Sequence, residues 1–140
     1  MKFMIIVKAS KESEAGVMPT TEQITEMMKF NEEMAKAGVM KDGDGLHPTS
    51  NAARIVFKDG QKSMVKGPFN EPNLMAGYWI IEAKDMDDAI GWMMKAPNPY
   101  PGDGNLEIRQ FFGPEDFGEA VTDELRAMED RVRDTIQTQS

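Results

Sequence analysis

Residues 2–8 read KFMIIVK, a short apolar stretch between two lysines that is rich in β-branched side chains. A run that is apolar at every internal position is typical of a strand covered on both faces. Alternation along a strand directs Phe3, Ile5 and Val7 to one side, and Met4 and Ile6 to the other. The stretch therefore predicts a central strand whose two faces both need covering.

Two amphipathic helices are predicted on either side of the middle of the chain. Thr20 with Gln23 three residues later is a capping-box signature, and Asp85 is a suitable cap for the second helix. The apolar residues at helical spacing are Ile24, Met27, Met28, Met34 and Ala35 in the first helix and Met86, Ala89, Ile90, Met93 and Met94 in the second. The prolines expected to end the second helix are Pro97, Pro99 and Pro101. Each helix thus has one face committed to a core.

Further strands are predicted at residues 52–57, 61–65, 78–83 and 105–112, whereas residues 42–45, Asp-Gly-Asp-Gly, predict a turn. Asp59-Gly60 lies between the strands predicted at residues 52–57 and 61–65, and it strongly indicates an antiparallel hairpin. The order is then strand, helix, strand pieces, hairpin, strand, helix, strand. This order predicts an α+β fold on the ferredoxin-like split βαβ plan, with the hairpin as an insertion.

Two helices can cover only one face of such a sheet, although both faces are apolar in the middle. The commonest solution is an isologous twofold dimer whose sheets pack face to face, which here predicts a dimeric α/β barrel. A C-terminal helix is predicted from an apolar stripe of Val121, Leu125, Met128, Val132 and Ile136, expected to pack on the body or on the dimer mate. We therefore expect one domain at residues 1–113 and a helical extension of it at 114–140.

The composition of the chain excludes several kinds of functional site and makes some partners unexpected. The 140 residues suit one domain and contain no cysteine, which excludes disulfides, zinc–thiolate sites and thiol nucleophiles. The net charge of -8 repels phosphates, so neither nucleic acid nor an anionic membrane is an expected partner. The first apolar run ends at Val7, too early for a signal peptide, so a cytoplasmic location is expected. Most of the 13 methionines lie on the helical stripes and are core residues rather than ligands of a soft metal.

Four short stretches resemble the YCII-related family, which has an Asp-Gly-Pro-Phe (DGPF) signature. They are residues 30–39 (FNEEMAKAGV), 43–48 (GDGLHP), 67–71 (GPFNE, with Gly77-Tyr78 following) and 107–109 (EIR), and the similarity extends to about Phe117. The resemblance implies a dimeric α/β barrel of bacterial origin. Most members of the family lack an established activity, and some are encoded beside or fused to extracytoplasmic-function sigma factors.

The chain departs from the family pattern at three places. Lys66 replaces the aspartate of the signature, and Pro72-Asn73 replaces a Lys-Glu pair. The first helix contains no histidine, although relatives carry one there that has been taken as half of a catalytic His-Asp pair. That mechanism is therefore not transferred to this chain.

The candidate catalytic residues are His47 and Glu71. His47 is the sole histidine, and imidazole titrates nearest neutrality, so it could serve as a general base; a surface loop residue is the alternative. Glu71 follows Gly67-Pro68-Phe69, which would position it for proton transfer or for an ion pair with Arg109 or Arg54.

Three further residues are candidates for binding a substrate. Arg109 offers a planar fork for a carboxylate, with a structural ion pair as the alternative. Tyr78 could line the same cavity or belong to the core, and Asp44 could bind a ligand or form a turn. We expect His47, Glu71 and Arg109 to meet at one cavity mouth. No metal or cofactor is predicted, because the spacing of Asp42, Asp44 and His47 matches no known metal loop.

Three functional classes stay open. The protein could be an enzyme that transforms a small organic molecule by acid/base chemistry, a ligand-binding module that uses the same cavity, or a regulatory interaction partner. The sequence favours binding of a small organic molecule by a homodimer, and it leaves open whether any reaction follows.

Overall fold

The computed structural model describes residues 1–98 and 102–139, so Pro99 and Pro101 lie outside the described part. In chain order its elements are β1 (Lys2–Lys8), α1 (Lys11–Glu14), α2 (Thr21–Lys36), β2 (Met40–Gly45), β3 (Ala53–Lys58), β4 (Gln61–Lys66), β5 (Met75–Glu82), α3 (Met86–Met93), β6 (Leu106–Gln110) and α4 (Asp123–Gln139). Short 3-10 segments span Thr49–Asn51 and Pro114–Ala120.

Four strands form one sheet in the order β2-β5-β1-β6, and all neighbours are antiparallel. β1 and β2 therefore run parallel with β5 between them, and β5 and β6 run parallel with β1 between them. Two interlocked βαβ units, one through α2 and one through α3, give this order. The predicted α+β class is confirmed, and the antiparallel sheet agrees with a ferredoxin-like fold.

The core lies between one face of this sheet and the helices α2 and α3. Its buried residues include Phe3, Ile5, Trp79 and Ile81 from the strands, and Phe30, Met34, Ala89 and Met93 from the helices. Trp79 donates its indole N–H to Asn31 Oδ1 at 2.8 Å, and its ring meets that of Phe30 edge-on at 5.7 Å. The buried indole is thus satisfied as well as packed.

The opposite face of the sheet, which we call the open face, is only half-buried by the described part of the chain. Its centre consists of Met4, Ile6, Tyr78 and Ile80, which are half-buried, whereas Phe3 and Ile5 are fully buried. The strand register arranges this open face in two rows, Asp42-Ile80-Met4-Arg109 and Asp44-Tyr78-Ile6-Glu107. The predicted division of β1 into two apolar faces is confirmed.

The predicted helix starts are confirmed at Thr20 and Asp85. Thr20 and Gln23 exchange both capping-box hydrogen bonds, at 2.8 and 3.1 Å, and Asp85 Oδ1 accepts from the backbone N–H of Asp88 at 2.8 Å. α3 ends at Met93, before Pro97. The sequence did not predict the one-turn helix α1, which Ser10 caps.

Residues 42–45 form most of strand β2, so the predicted turn is wrong. The glycine at position 43 serves packing rather than turning, because a Cβ there would lie 2.7 Å from Trp79 Cδ1. Asp44 is correspondingly not a turn residue but pairs with Tyr78 across the strands. A glycine-rich motif thus allows an edge strand to approach a large core ring.

β3 and β4 form a separate two-stranded antiparallel sheet, paired from Ala53 with Lys66 to Lys58 with Gln61. Both turn residues, Asp59 and Gly60, have positive φ angles of 51° and 74°. These angles suit the mirror-image turn that matches the twist of paired strands. The antiparallel pairing predicted from Asp59-Gly60 is confirmed.

The predicted C-terminal helix is present as α4, but none of its residues is buried. Its apolar stripe stays 46–61% exposed, at Leu125, Met128, Val132 and Ile136. The expectation that this stripe packs on the body of its own chain is therefore wrong, and packing on a dimer mate stays a proposal.

Candidate functional site

A cavity of about 500 Å³ opens at the end of the sheet where β1 ends and β6 begins. One wall is apolar and comes from α3 and β6; it includes Ile90, Met93, Met94, Leu106 and Ile108. The polar lining comes mostly from loops and includes Lys8, Ser10, Asn98, Asp103 and Asn105. The exposed positions of the α3 stripe, Ile90 and Met94, are thus a cavity wall rather than unused surface.

Local contacts hold the polar side of this cavity in place. Ser10 caps α1 by accepting from the backbone N–H of Ser13 at 3.1 Å. Lys8 Nζ forms an ion pair with Glu107 Oε1 at 3.1 Å, and its side chain is only 14% exposed. This hydrogen bond, together with the weaker contact from Arg109, holds the pKa of Glu107 below its ordinary value. Glu107 therefore stays ionised on the open face of the sheet.

None of the five predicted site residues belongs to the described lining of this cavity. His47 lies just after β2, is exposed, and places Nδ1 2.8 Å from the side-chain amide of Asn51. If that amide nitrogen donates, Nδ1 is the accepting nitrogen of the ring. The loop itself is held against the sheet by the N–H of Leu46, which donates to the carbonyl of Ala76 at 2.8 Å.

Glu71 forms an ion pair with Arg54, which is one of the two ion-pair partners predicted for it. The Arg54 guanidinium also stacks over the Phe69 ring at 3.8 Å from its centroid. The hydrogen bond from Arg54 lowers the pKa of Glu71. A carboxylate with a lowered pKa is a weaker proton acceptor, which disfavours Glu71 as a general base.

A hydrogen-bonded cluster joins α1 to the two loops that flank the hairpin. Thr49 donates its backbone N–H to Glu14 Oε1 at 3.1 Å and its hydroxyl to the same carboxylate. Its hydroxyl oxygen also accepts from the N–H of Phe69 at 3.0 Å. Sequence reasoning missed Glu14 and Thr49, since 35 residues separate them and no local motif links them.

Gly67 has a steric role in the same cluster. Its N–H donates to the carbonyl of Ala52 at 2.8 Å, and an added Cβ would lie 1.7 Å from the carbonyl oxygen of Thr49. Only glycine fits at this position. The Gly-Pro-Phe motif is therefore a structural clasp between loops, and Phe69 is the platform on which Arg54 lies.

Arg109, Tyr78 and Asp44 all belong to the open face of the sheet. Arg109 contacts Glu107 at 3.4 Å and is 69% exposed. Asp44 lies on β2, the opposite edge strand, three strand spacings across the sheet and two residues along it, or about 16 Å away. Asp44 and Arg109 therefore do not contact each other within one chain.

The three residues expected to converge each have another partner. Within residues 1–98 and 102–139 no hydrogen bond or ion pair joins His47, Glu71 or Arg109 to one another. The loops of His47 and Glu71 do lie at the same end of the sheet, because β2 ends where β5 begins. Their convergence at a cavity mouth stays a prediction.

In the same described ranges, no group of three or more His, Asp or Glu side chains could hold a metal ion. The helices of that part of the chain include none long and apolar enough to cross a membrane.

The sheet, its two core helices and the cavity at one sheet end define a small α+β protein with a ferredoxin-like arrangement and a ligand-sized site. Residues 1–112 match the model of the YCII-related domain, and the chain belongs to that family. The chain is also similar to an uncharacterized protein of Rhizobium meliloti (strain 1021), with 26% identity over 101 residues that cover 71% of this chain and 77% of the relative. α4 lies beyond the matched range.

Proposed function

We propose that this protein binds a small organic molecule in the cavity beside α3. The observation that carries the proposal is the cavity itself, whose volume of about 500 Å³ lies within the usual range for ligand sites. Its mixed lining supports the same reading, because apolar walls bury the body of a ligand while a few polar groups orient it.

The lining also indicates the character of the ligand. Met93, Met94 and Ile90 form an adaptable apolar wall, which suits an aliphatic or aromatic body. Asn105, Ser10 and Asp103 offer donors and acceptors on the other side. Lys8 is occupied by Glu107, so it is not the main anchor for an anionic group. An uncharged or weakly polar molecule fits this arrangement best.

We further propose that the protein is a homodimer whose open sheet faces pack together into a dimeric α/β barrel, with the β3–β4 hairpin as an insertion. The support is the half-buried apolar centre formed by Met4, Ile6, Tyr78 and Ile80. An apolar sheet face of this kind is stabilised by a second layer.

Charged residues on the open face favour a twofold axis parallel to the strands over one perpendicular to them. Asp42 and Arg109 stand at opposite ends of one row of the open face. An axis parallel to the strands reverses the row, so Asp42 of one protomer faces Arg109 of its partner. An axis perpendicular to the strands instead sets the acidic β2 edges against each other, which costs free energy.

The cavity proposal is tested by NMR of protein labelled at its methionine methyl groups, screened against a library of small organic fragments. We expect binders to shift the signals of Met93 and Met94, which line the cavity, and not that of Met28 on the exposed face of α2. Ile90→Trp should fill the cavity and abolish the shifts. Ala35→Trp, on an exposed position of α2, is the matched control.

Two results would contradict cavity binding. A library that leaves Met93 and Met94 unshifted removes the ligand site. Binders that shift Met4 but not Met93 move the site to the open face of the sheet.

Acid/base chemistry by His47 and Glu71 is a second proposal, supported by the position of both loops at one sheet end. If the two side chains act together, Glu71→Gln should change the NMR chemical shifts of the His47 ring, because the substitution alters a neighbouring side chain. NMR of the sole histidine in both proteins measures this. Unchanged ring signals leave the Glu71–Arg54 ion pair as the role of Glu71.

A further inference from the structure

Two elements of the chain expose apolar surfaces that no other described residue, within 1–98 and 102–139, buries. The first is the β3–β4 hairpin, where Ile55, Phe57 and Met64 share one face, as the Ile55–Met64 and Phe57–Lys62 pairs require. These side chains are 59%, 73% and 53% exposed. An isolated two-stranded hairpin is marginally stable in water, so this one needs a surface to pack on. We call this face the hairpin patch.

The second element is α4, whose apolar stripe consists of Leu125, Met128, Val132 and Ile136. The spacing of three and four residues keeps all four on one side of the helix. A lone helix of 17 residues is close to the length at which helices are marginal in water. The α4 stripe is therefore a second surface that requires a partner.

We propose that the α4 stripe of one protomer packs on the hairpin patch of its partner, and that the twofold repeats this contact. The inference rests on the homodimer proposed above and is independent of the cavity. A second copy is the occupant because it offers both surfaces at once, so one isologous assembly covers all four.

Charge complementarity supports this occupant. Residues 53–66 contain four basic side chains, Arg54, Lys58, Lys62 and Lys66, against a single acidic one, in a chain of net charge -8. Residues 114–140 contain eight acidic residues and three basic ones. The hairpin is thus a basic island in an acidic protein, and α4 belongs to an acidic segment.

The basic charges of the hairpin lie on the patch itself. Lys62 and Lys66 lie on the same hairpin face as the patch, because they pair with Phe57 and Ala53. Glu129 lies beside the α4 stripe, one helical turn after Leu125, and is paired with Arg133 at 3.1 Å. The charge that complements the basic hairpin is therefore the net excess of α4 as a whole, which has five acidic and three basic residues.

The lengths match as well. The stripe from Leu125 to Ile136 extends about 17 Å along the helix axis. Each hairpin strand has six residues, or about 20 Å of extended chain. One helix can therefore cover the hairpin along its length, leaving neither surface with an exposed apolar end.

The absence of cysteine permits a direct test by cross-linking. A Met64→Cys chain and a Met128→Cys chain, carrying tags of different size, are co-expressed and treated with a short bismaleimide. We expect a band at the summed mass of the two chains from the mixed dimers, whereas the chains of the homodimers stay free. Ile55→Cys with Val132→Cys is a second pair in case the first register is unfavourable. Ala35→Cys in place of Met128→Cys is the control that should not cross-link.

Other occupants give different products, and each overturns the proposal. Cross-linking of Met128→Cys chains to each other indicates helix-on-helix pairing. A product confined to one chain, formed only when both cysteines are in it, indicates folding of α4 onto its own hairpin. No product from either pair in a protein that sedimentation shows to be a dimer refutes the helix–hairpin contact alone. A monomer refutes the dimer too and leaves the cavity proposal intact.

Discussion

Arg54 on β3 and Glu71 in the loop before β5 form an ion pair that fastens the base of the hairpin to the following loop. The same guanidinium lies over the Phe69 ring, so one arginine fixes both the aromatic and the acidic residue of the family-like motif. This contact makes Glu71, one of the predicted site residues, part of a structural clasp.

The Arg54–Glu71 pair predicts a pH-dependent stability. Arg54 lowers the pKa of Glu71 from 4.5, so the folded state favours the ionised carboxylate. Its contribution is complete above pH 4.5 and is lost as the pH falls through the lowered pKa of the folded state. The difference between the urea midpoints of the native protein and Arg54→Gln should therefore be largest at pH 7 and should shrink as the pH falls below the lowered pKa of Glu71, leaving only the loss of the Arg54–Phe69 contact. Lys58→Gln, which removes a charge from the same strand, should show no such pH dependence.

Gly67→Ala should destabilise the protein, because the added Cβ collides with the Thr49 carbonyl. Overpacking of this kind costs about 1–3 kcal/mol. Gly91→Ala is a matched control in α3, where an added Cβ meets nothing within 4 Å. Alanine is the better helix former, so Gly91→Ala should stabilise by about 0.4–1 kcal/mol. Equal unfolding free energies for the two variants would contradict the clasp at Gly67.

Asn31→Leu should cost about 1–3 kcal/mol of unfolding free energy, because the Trp79 indole N–H would lose its acceptor in a buried site. Trp79 is only 5% exposed, so water cannot easily replace the amide. Chemical denaturation followed by tryptophan fluorescence measures the loss. Asn51→Leu, at an exposed position beside His47, should leave the midpoint nearly unchanged.

The sequence predicted the parts of the fold that depend on local chemistry. The Thr20 cap, the Asp59-Gly60 turn and the two-sided apolar pattern of β1 follow from hydrogen bonding and alternation within a few residues, and the structure agrees with each. The prediction failed at Gly43, where glycine serves a distant tryptophan ring rather than a turn.

The site was less predictable, because its residues meet only through tertiary contacts. Thr49 and Glu14 are joined by the path of the chain and not by a motif, whereas the Arg54–Glu71 pair was one of two ion pairs that the sequence left open for Glu71. The cavity beside α3 could have been suspected from Ile90 and Met94, which extend the stripe of a short helix beyond what the core needs. No polar sequence motif indicates this cavity, and the sequence therefore favoured His47 and Glu71 as the site.

The proposed direction of the dimer axis predicts a charge-swap rescue. Asp42→Lys and Arg109→Glu should each raise the dimer dissociation constant severalfold, since each places like charges opposite one another. The double variant restores opposite charges and should regain most of the affinity. Sedimentation at low salt, where surface charges are least screened, measures all three proteins. Additive losses in the double variant would exclude an axis parallel to the strands.

Two aspartate substitutions on opposite sides of α4 test the role of its apolar stripe. Val132→Asp places a charge in the middle of the stripe, whereas Ala127→Asp places the same charge on the far side of the helix. Burying a valine contributes about 1.5–3 kcal/mol, and a twofold dimer would contain two such contacts. The dissociation constant of Val132→Asp should therefore rise about a hundredfold or more, while that of Ala127→Asp stays close to the native value. Deleting residues 121–140 should weaken the dimer at least as much as Val132→Asp, because both hairpin patches lose their cover. Native affinity in Val132→Asp and in the truncated chain would mean that the stripe covers no part of the partner.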